Sequence, residues 1–238
     1  MKILIVAATH GELTPLLEDL PKSPLEASKG KFISRDLPND VQLDLLVSGA
    51  GMAATAFEMG FALASHTYDF IINIGIAGSF RDTLPVGAVV QVLSDEMGDL
   101  GAETADADFI SINNMAFFDP NCHPFREGKL FAPSLQGCFE ALTKLPAVHG
   151  VSVNTVSGST QGIERLQGRC QADIETMESA AFFYACLSVR HPRFCAIRAI
   201  SNRVELRDTA RWNIPLALTQ LKQTVLALLN EIAQKGVA

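Results

Sequence analysis

The feature that most constrains this chain is an alternation. Short runs of almost wholly apolar residues, each of strand length, are separated by longer segments with helical spacing. Residues 2–8, 41–48, 70–75, 86–93, 148–156 and 194–200 are runs of the first kind, bounded by Gly, Asn or Asp. Residues 12–20, 52–64, 134–145, 178–189 and 214–234 supply the helical patterns. A strand apolar at nearly every position has no face to leave in water, so helices must cover it on both sides. Strands alternating with helices therefore predict an α/β fold with a largely parallel sheet in a three-layer arrangement. Hydrophobic residues make up 48% of the chain, enough to fill such a core. No repeat, low-complexity tract or linker divides the sequence, which predicts one domain over residues 1–238.

In sheets of this kind ligands bind at the carboxyl ends of the strands. The loops to search are then 9–12, 48–52, 75–80, 157–162, 176–179 and 201–208. Residues 95–127, with Gly98, Gly101, Asn113, Asn114, Pro120 and Pro124, are the least regular stretch and read as an excursion over one end of the sheet, a lid or a subunit contact. The net charge of −7 excludes non-specific nucleic-acid binding, which needs a basic surface. The opening apolar run is too short for a signal peptide or a membrane span, so the expected location is the cytoplasm, with no membrane partner. Cys122, Cys138, Cys170, Cys186 and Cys195 are odd in number and form no CxxC pair, as expected of reduced thiols. The five histidines show no metal-ligand spacing, so no metal is expected, and no cofactor motif is complete.

Gly49-Ala50-Gly51 stands between a strand and a helix. It suits either a tight turn or a phosphate cradle, but the third glycine of a dinucleotide fingerprint is replaced by Ala54. Glu12 and Glu178 each lie where a strand gives way to a helix. An acid there can simply favour the helix dipole. Two such acids facing one crevice could instead divide glycosidic chemistry, one activating water and the other holding sugar hydroxyls.

Ser48-Gly49-Ala50-Gly51-Met52-Ala53-Ala54, Ile72-Asn73-Ile74-Gly75-Ile76-Ala77-Gly78, Met177-Glu178-Ser179-Ala180-Ala181 and Ile197-Arg198-Ala199-Ile200-Ser201-Asn202 together resemble, in order and spacing, the nucleoside phosphorylase superfamily. That superfamily includes the purine and uridine phosphorylases and the methylthioadenosine/S-adenosylhomocysteine nucleosidases. The resemblance implies a single α/β domain with a mixed, mostly parallel central sheet, working as a homo-oligomer of two or more copies on a small purine nucleoside. It implies that Glu12 activates the attacking water, that Glu178 holds the ribose hydroxyls over Met177, and that Ala77 and Gly78 border the base. Thr160 and Gln161 fall, more loosely, on the loop that lines the base. The sequence departs from the adenosine-type nucleosidases twice: Ile76 stands where they carry Ser, and Asn202 where they carry an Asp general acid.

An Asn at this position implies a 6-oxopurine. Its NH₂ can donate to the exocyclic carbonyl while its oxygen accepts from a ring nitrogen protonated as the bond breaks. A helix cap or turn residue is the alternative reading of Asn202. The loops at 10–12 and 49–52 hold no arginine for a phosphate dianion, which favours water as nucleophile; Arg81, just beyond Gly78, keeps phosphorolysis open. Residues 201–208 and 212–214 look like the corresponding stretch of the futalosine hydrolases, whose leaving base is hypoxanthine, whose remaining product feeds menaquinone synthesis and whose substrate has an aromatic carboxylate at its 5′ side. Arg203 or Arg207 could pair with that carboxylate, with Phe117, Phe118 and Phe125 packing on its ring. Alternatively the two arginines pair with Glu205 and Asp208 at the surface. The remaining alternatives are a methylthioadenosine/S-adenosylhomocysteine or aminofutalosine nucleosidase and, more remotely, a nucleoside-binding module without turnover.

Overall fold

The computed structural model describes residues 1–21, 32–105, 108–135 and 137–236. In chain order the elements are β1 (Lys2–Ala7), α1 (His10–Asp19), β2 (Phe32–Leu37), β3 (Val41–Val47), α2 (Met52–Ser65), β4 (Phe70–Ser79) and β5 (Val89–Asp95). A small hairpin follows, β6 (Gly101–Glu103) and β7 (Phe109–Ser111). Then come β8 (Leu130–Phe131), α3 (Glu140–Thr143), β9 (Ala147–Ser152), α4 (Thr160–Cys170), β10 (Ile174–Thr176), α5 (Ser179–Ser188), β11 (Phe194–Arg203) and α6 (Ile214–Lys235).

The main sheet runs β10-β9-β5-β11-β4-β1-β3-β2. β1 pairs in parallel with β3 and β4, β11 with β4, and β9 with β5 and β10; β2–β3, β5–β11, β5–β8 and β4–β10 are antiparallel. The sheet is thus mixed, with parallel pairings through its centre. The β4–β10 pairing returns one end of the sheet onto itself, so β4, β11, β5, β9 and β10 close a ring.

Alternation along β1 shows how the apolar runs are covered. Ile3, Ile5 and Ala7 point into a core shared with Leu13 and Leu16 of α1 and Leu221, Val225 and Leu228 of α6. Leu4 and Val6 point the other way, into a core shared with Met59 of α2 and Phe182 and Phe183 of α5. These side chains are fully or almost fully buried, each one larger than Ala stabilising the fold by roughly 1.5–3 kcal/mol. The two cores and the sheet between them make the expected three layers. A smaller cluster of Val151, Val153, Leu166 and Cys170 seats α4 against the ring.

Several elements differ from the sequence expectations. β4 and β11 run on to Ser79 and Arg203 because β10 and the facing ends of both strands supply hydrogen-bond partners beyond Gly75 and Ile200. Only Glu140–Thr143 of the expected 134–145 helix is helical among the described residues. The 95–127 excursion is stitched down: Asp99 accepts from the main-chain N–H groups of Asn154 and Thr155, and Arg169 lies 4.2 Å over the Phe109 ring. Among the described residues no helix is long and apolar enough to cross a membrane.

Candidate active site

A cleft of about 480 Å³ opens at the carboxyl ends of β1, β4, β10 and β11. Its position follows from the sheet, since adjoining parallel strands deliver their following loops to one edge. Glu12, Ala77, Gly78, Met177, Glu178, Asn202, Arg203 and Arg207 all line it. Glu12 and Arg207, 195 positions apart in the sequence, are thereby gathered in one place.

Glu12 is the third residue of α1, and Thr9 caps the helix. The Thr9 side chain accepts from the Glu12 N–H, and Glu12 Oε2 accepts in return from Thr9 N at 3.0 Å and Thr9 Oγ1 at 3.1 Å. This capping box is the helix-end role expected of an acid there. Oε1 does something else: it accepts from Ile76 N at 3.1 Å, across the cleft on β4. Main-chain N–H thus serves the carboxylate where a side-chain hydroxyl is missing. Gly75 makes the approach feasible, because a Cβ there would lie 2.8 Å from Oε1.

Glu178 is the N-cap residue of α5, yet makes no capping bond of its own. Its Oε1 accepts from Gly51 N at 2.9 Å, at the start of α2. Gly51 has φ +90°, a conformation costly for any residue with a Cβ. The glycine loop therefore presents an N–H to a carboxylate of the chain itself. Burial raises the Glu178 carboxyl above its ordinary value, the Gly51 N–H and the Arg198 charge pull it down, and Glu12 pushes it up again.

Arg198 is the residue that sequence reasoning missed, although a lone arginine inside an apolar strand is a visible signal. It is 1% exposed. Nη1 donates to the carbonyls of Asn73 (3.3 Å) and Ile197 (3.0 Å), Nη2 donates to Asn73 Oδ1, and Nε has no partner among the described residues. Burial lowers its pKa, while Glu178, Glu12 and Asp95 raise it, in that order. Glu12 and Arg198 also crowd the same point above Gly75, where a Cβ would lie 3.7 Å from Arg198 Nε. Both acids act electrostatically on this one buried cation. Asp95, fully buried, accepts from Ser152 Oγ at 2.9 Å; burial pushes its pKa up, while the Ser152 hydroxyl and the Arg198 charge pull it down.

Asn202 is aimed by a β-bulge. Ile200 pairs with Ala77 and Asn202 with Gly78, leaving Ser201 as the extra residue. Ser201 Oγ donates to Asn202 Oδ1 at 2.8 Å, and Asn202 Nδ2 donates to the Arg203 carbonyl at 2.8 Å. A carbonyl only accepts, so this contact fixes which end of the amide is NH₂. Gly78 leaves room for it, since a Cβ there would stand 3.2 Å from Nδ2.

Other expected residues are not brought to the cleft. Thr160 and Gln161 are exposed in the first turn of α4, behind its Ser159 cap, and Val156 and Ser157 line the cleft instead. Phe117 is 81% exposed, and Phe118 meets Phe125 edge to face, with Phe125 tilted against Tyr184; none of the three phenylalanines lines the cleft. Trp212, Leu206, Ile214 and Leu218 supply its apolar wall. Arg81 pairs with Asp173 at 3.0 Å and also stands outside. The surface pairing expected for Arg203 and Arg207 falls to other groups. Arg211 takes Glu205 at 2.8 Å and Asp208 at 3.9 Å, and Arg203 takes Asp82 at 2.7 Å. Arg207, 5.5 Å over the Trp212 ring, has no carboxylate at ion-pair distance among the described residues.

Comparison with known proteins agrees with this geometry. A family model described as the phosphorylase superfamily matches residues 2–230. The futalosine hydrolase of Streptomyces coelicolor is 29% identical over 231 residues, 94% of each chain. That of Acidothermus cellulolyticus is 30% identical over 203 residues, 82% of this chain and 78% of its own. Among solved structures, a native futalosine hydrolase of Helicobacter pylori superposes with a TM-score of 0.77 at 18% identity, over 97% of this chain and 98% of that one. A 5′-methylthioadenosine/S-adenosylhomocysteine nucleosidase from S. pneumoniae gives 0.77 at 20%, over 98% and 100%. These two likenesses bear on the fold alone.

Proposed function

The chain belongs to the phosphorylase superfamily, and within it we propose that it is a futalosine hydrolase, using water to release hypoxanthine from futalosine and leave dehypoxanthine futalosine. The observation that carries the choice of base is Asn202 with its amide held in one orientation. Each end keeps capacity beyond the bond it already makes. Nδ2 has a second hydrogen for the exocyclic oxygen of hypoxanthine, and Oδ1 a second lone pair for the ring N7–H. The relatives above support the same reading.

In this reading Glu12 takes a proton from water beside Gly75 as the water oxygen bonds to C1′. The C1′–N9 bond breaks, and its electron pair leaves with the base, which is protonated at N7 from solvent. Glu178 accepts from the ribose hydroxyls, which become more acidic as the sugar gains positive charge. Met177 packs beneath the ribose, and Ala77 and Gly78 border the base. Arg207 is the better placed arginine for the 5′ carboxylate, since Arg203 is already paired. Phe57 and Phe61, one turn apart on α2, are 71% and 58% exposed and support an assembly of two or more copies.

The base reading is tested by kcat/KM for futalosine and its 6-amino analogue. The wild type should favour futalosine by about tenfold to a hundredfold, because an amino group facing the Asn202 NH₂ leaves a donor unpaired at roughly 1–3 kcal/mol. Asn202→Asp should narrow or reverse that ratio. Equal ratios in both proteins would show that Asn202 does not read the base.

A further inference from the structure

Three neighbouring strands, β5, β9 and β10, end on polar residues: Asp95, Ser152 and Thr176. All three are at most 3% exposed, and neither the water chemistry nor base recognition uses them. Ser152 and Thr176 lie in register on the parallel pair β9–β10, with their hydroxyls 2.9 Å apart. They meet the start of α5, whose N-cap is Glu178.

An N-cap side chain ordinarily accepts from the N–H of the second or third helical residue. In α5 the second is Ala180, and its N–H goes to Ser152 Oγ at 2.9 Å. The N–H of Ser179, the first, goes to Thr176 Oγ1 at 3.4 Å. Asp95 orders the two hydroxyls. Ser152 Oγ donates to Asp95 Oδ1 at 2.9 Å, which uses its one hydrogen. The Ser152–Thr176 contact is then made by the Thr176 hydrogen. Hydrogens thus run in one direction, from the Ser179 N–H to Thr176, from Thr176 to Ser152, and from Ser152 to Asp95. Ser152 Oγ, accepting from both Ala180 and Thr176, has both lone pairs filled.

Resting on the reading of Glu178 as the acid that holds the ribose, we propose that Ser152 and Thr176 are positioning residues: their hydroxyls cap α5 in place of Glu178 and leave its carboxylate free for the Gly51 N–H and the sugar. Glu178 stands where a helix would otherwise claim its side chain. With Ser152 gone, the buried Ala180 N–H has no partner, and a buried donor left unpaired is costly. The Glu178 carboxylate is the group next to it, and taking up the ordinary N-cap bond draws it away from Gly51 and the ribose.

The test is kcat/KM for futalosine and for its 3′-deoxy analogue, which lacks one hydroxyl for Glu178, in wild type, Ser152→Ala, Glu178→Gln and the double variant. Ser152→Ala should lower kcat/KM for futalosine by about tenfold to a hundredfold, the scale of a displaced group at the reacting centre. The preference for futalosine over the 3′-deoxy analogue should fall with it, towards that of Glu178→Gln. Added to Glu178→Gln, the same change should cost little more, since the carboxylate it positions is already gone. A merely structural loss lowers both substrates alike, and equally in both backgrounds; that result overturns the proposal, as does full activity with full preference in Ser152→Ala. Thr176→Val removes the second hydroxyl at nearly constant shape and gives an independent variant should Ser152→Ala not fold. It should lose the same preference, and Thr176→Ser should recover most of it; equal behaviour of the two overturns the proposal. A Glu178→Gln protein that keeps the wild-type preference overturns both the reading of Glu178 and this inference. A preference lost in Glu178→Gln but kept in Ser152→Ala and Thr176→Val overturns this inference alone.

Discussion

Glu12→Gln should lower kcat by about 10²–10⁴-fold, the scale of losing a general base, with the fold retained. The amide matches the carboxylate in size but cannot take a proton from water. The structure also predicts a smaller second effect. Both Glu12 oxygens accept from main-chain N–H groups, Oε1 from Ile76 and Oε2 from Thr9. Whichever end becomes NH₂ faces a donor, so a stability loss of roughly 1–3 kcal/mol should accompany the loss of activity. Kinetics and urea unfolding on the same sample separate the two. A variant within a few-fold of wild-type kcat would leave Glu12 with the capping role alone.

Arg198→Met should have the largest effect on stability, costing about 3–5 kcal/mol, because it strips a buried cation from acids that remain buried. Glu178 would keep the Gly51 N–H but lose its opposite charge, leaving the repulsion from Glu12 without that offset. The Asn73 carboxamide oxygen would also lose the Nη2 donor. The check is the urea midpoint at constant slope. Adding Glu178→Gln to Arg198→Met should recover part of the loss, since the uncompensated charge is then gone. A loss below about 1 kcal/mol would mean that water compensates these acids instead of Arg198, against the burial seen here.

The sequence was most legible where burial is strongest. The runs behind β1, β3, β4 and β11 are apolar because both faces are covered, so their composition alone marked them. β2 escaped notice, and β10 was marked only by the junction at Glu178, for the opposite reason. β2 is an edge strand holding Ser34, Arg35 and Asp36, and β10 is three residues long with Glu175 at its centre. The first three residues of α4, Thr160-Gln161-Gly162, were read as the end of a loop because they are polar, and the rest carried no assignment because only Leu166 and Cys170 of the helix are buried. Val156, Ser157 and Glu175 line the cleft, and Thr160 and Gln161 do not. Glu12 and Glu178 were legible as acids at strand-to-helix junctions. The buried cation near them was not, since bringing Arg198 close to Glu12 requires the register of β11 on β4, where Arg198 lies opposite Gly75. The bulge that aims Asn202 likewise depends on that register.

The most direct test of the whole account is turnover of futalosine in phosphate-free buffer made with H₂¹⁸O, with the products identified by mass. The account predicts free hypoxanthine without label, and dehypoxanthine futalosine with one ¹⁸O at the anomeric position. Turnover that requires phosphate and gives a ribose 1-phosphate product, or release of adenine from the 6-amino analogue with futalosine left intact, would contradict it.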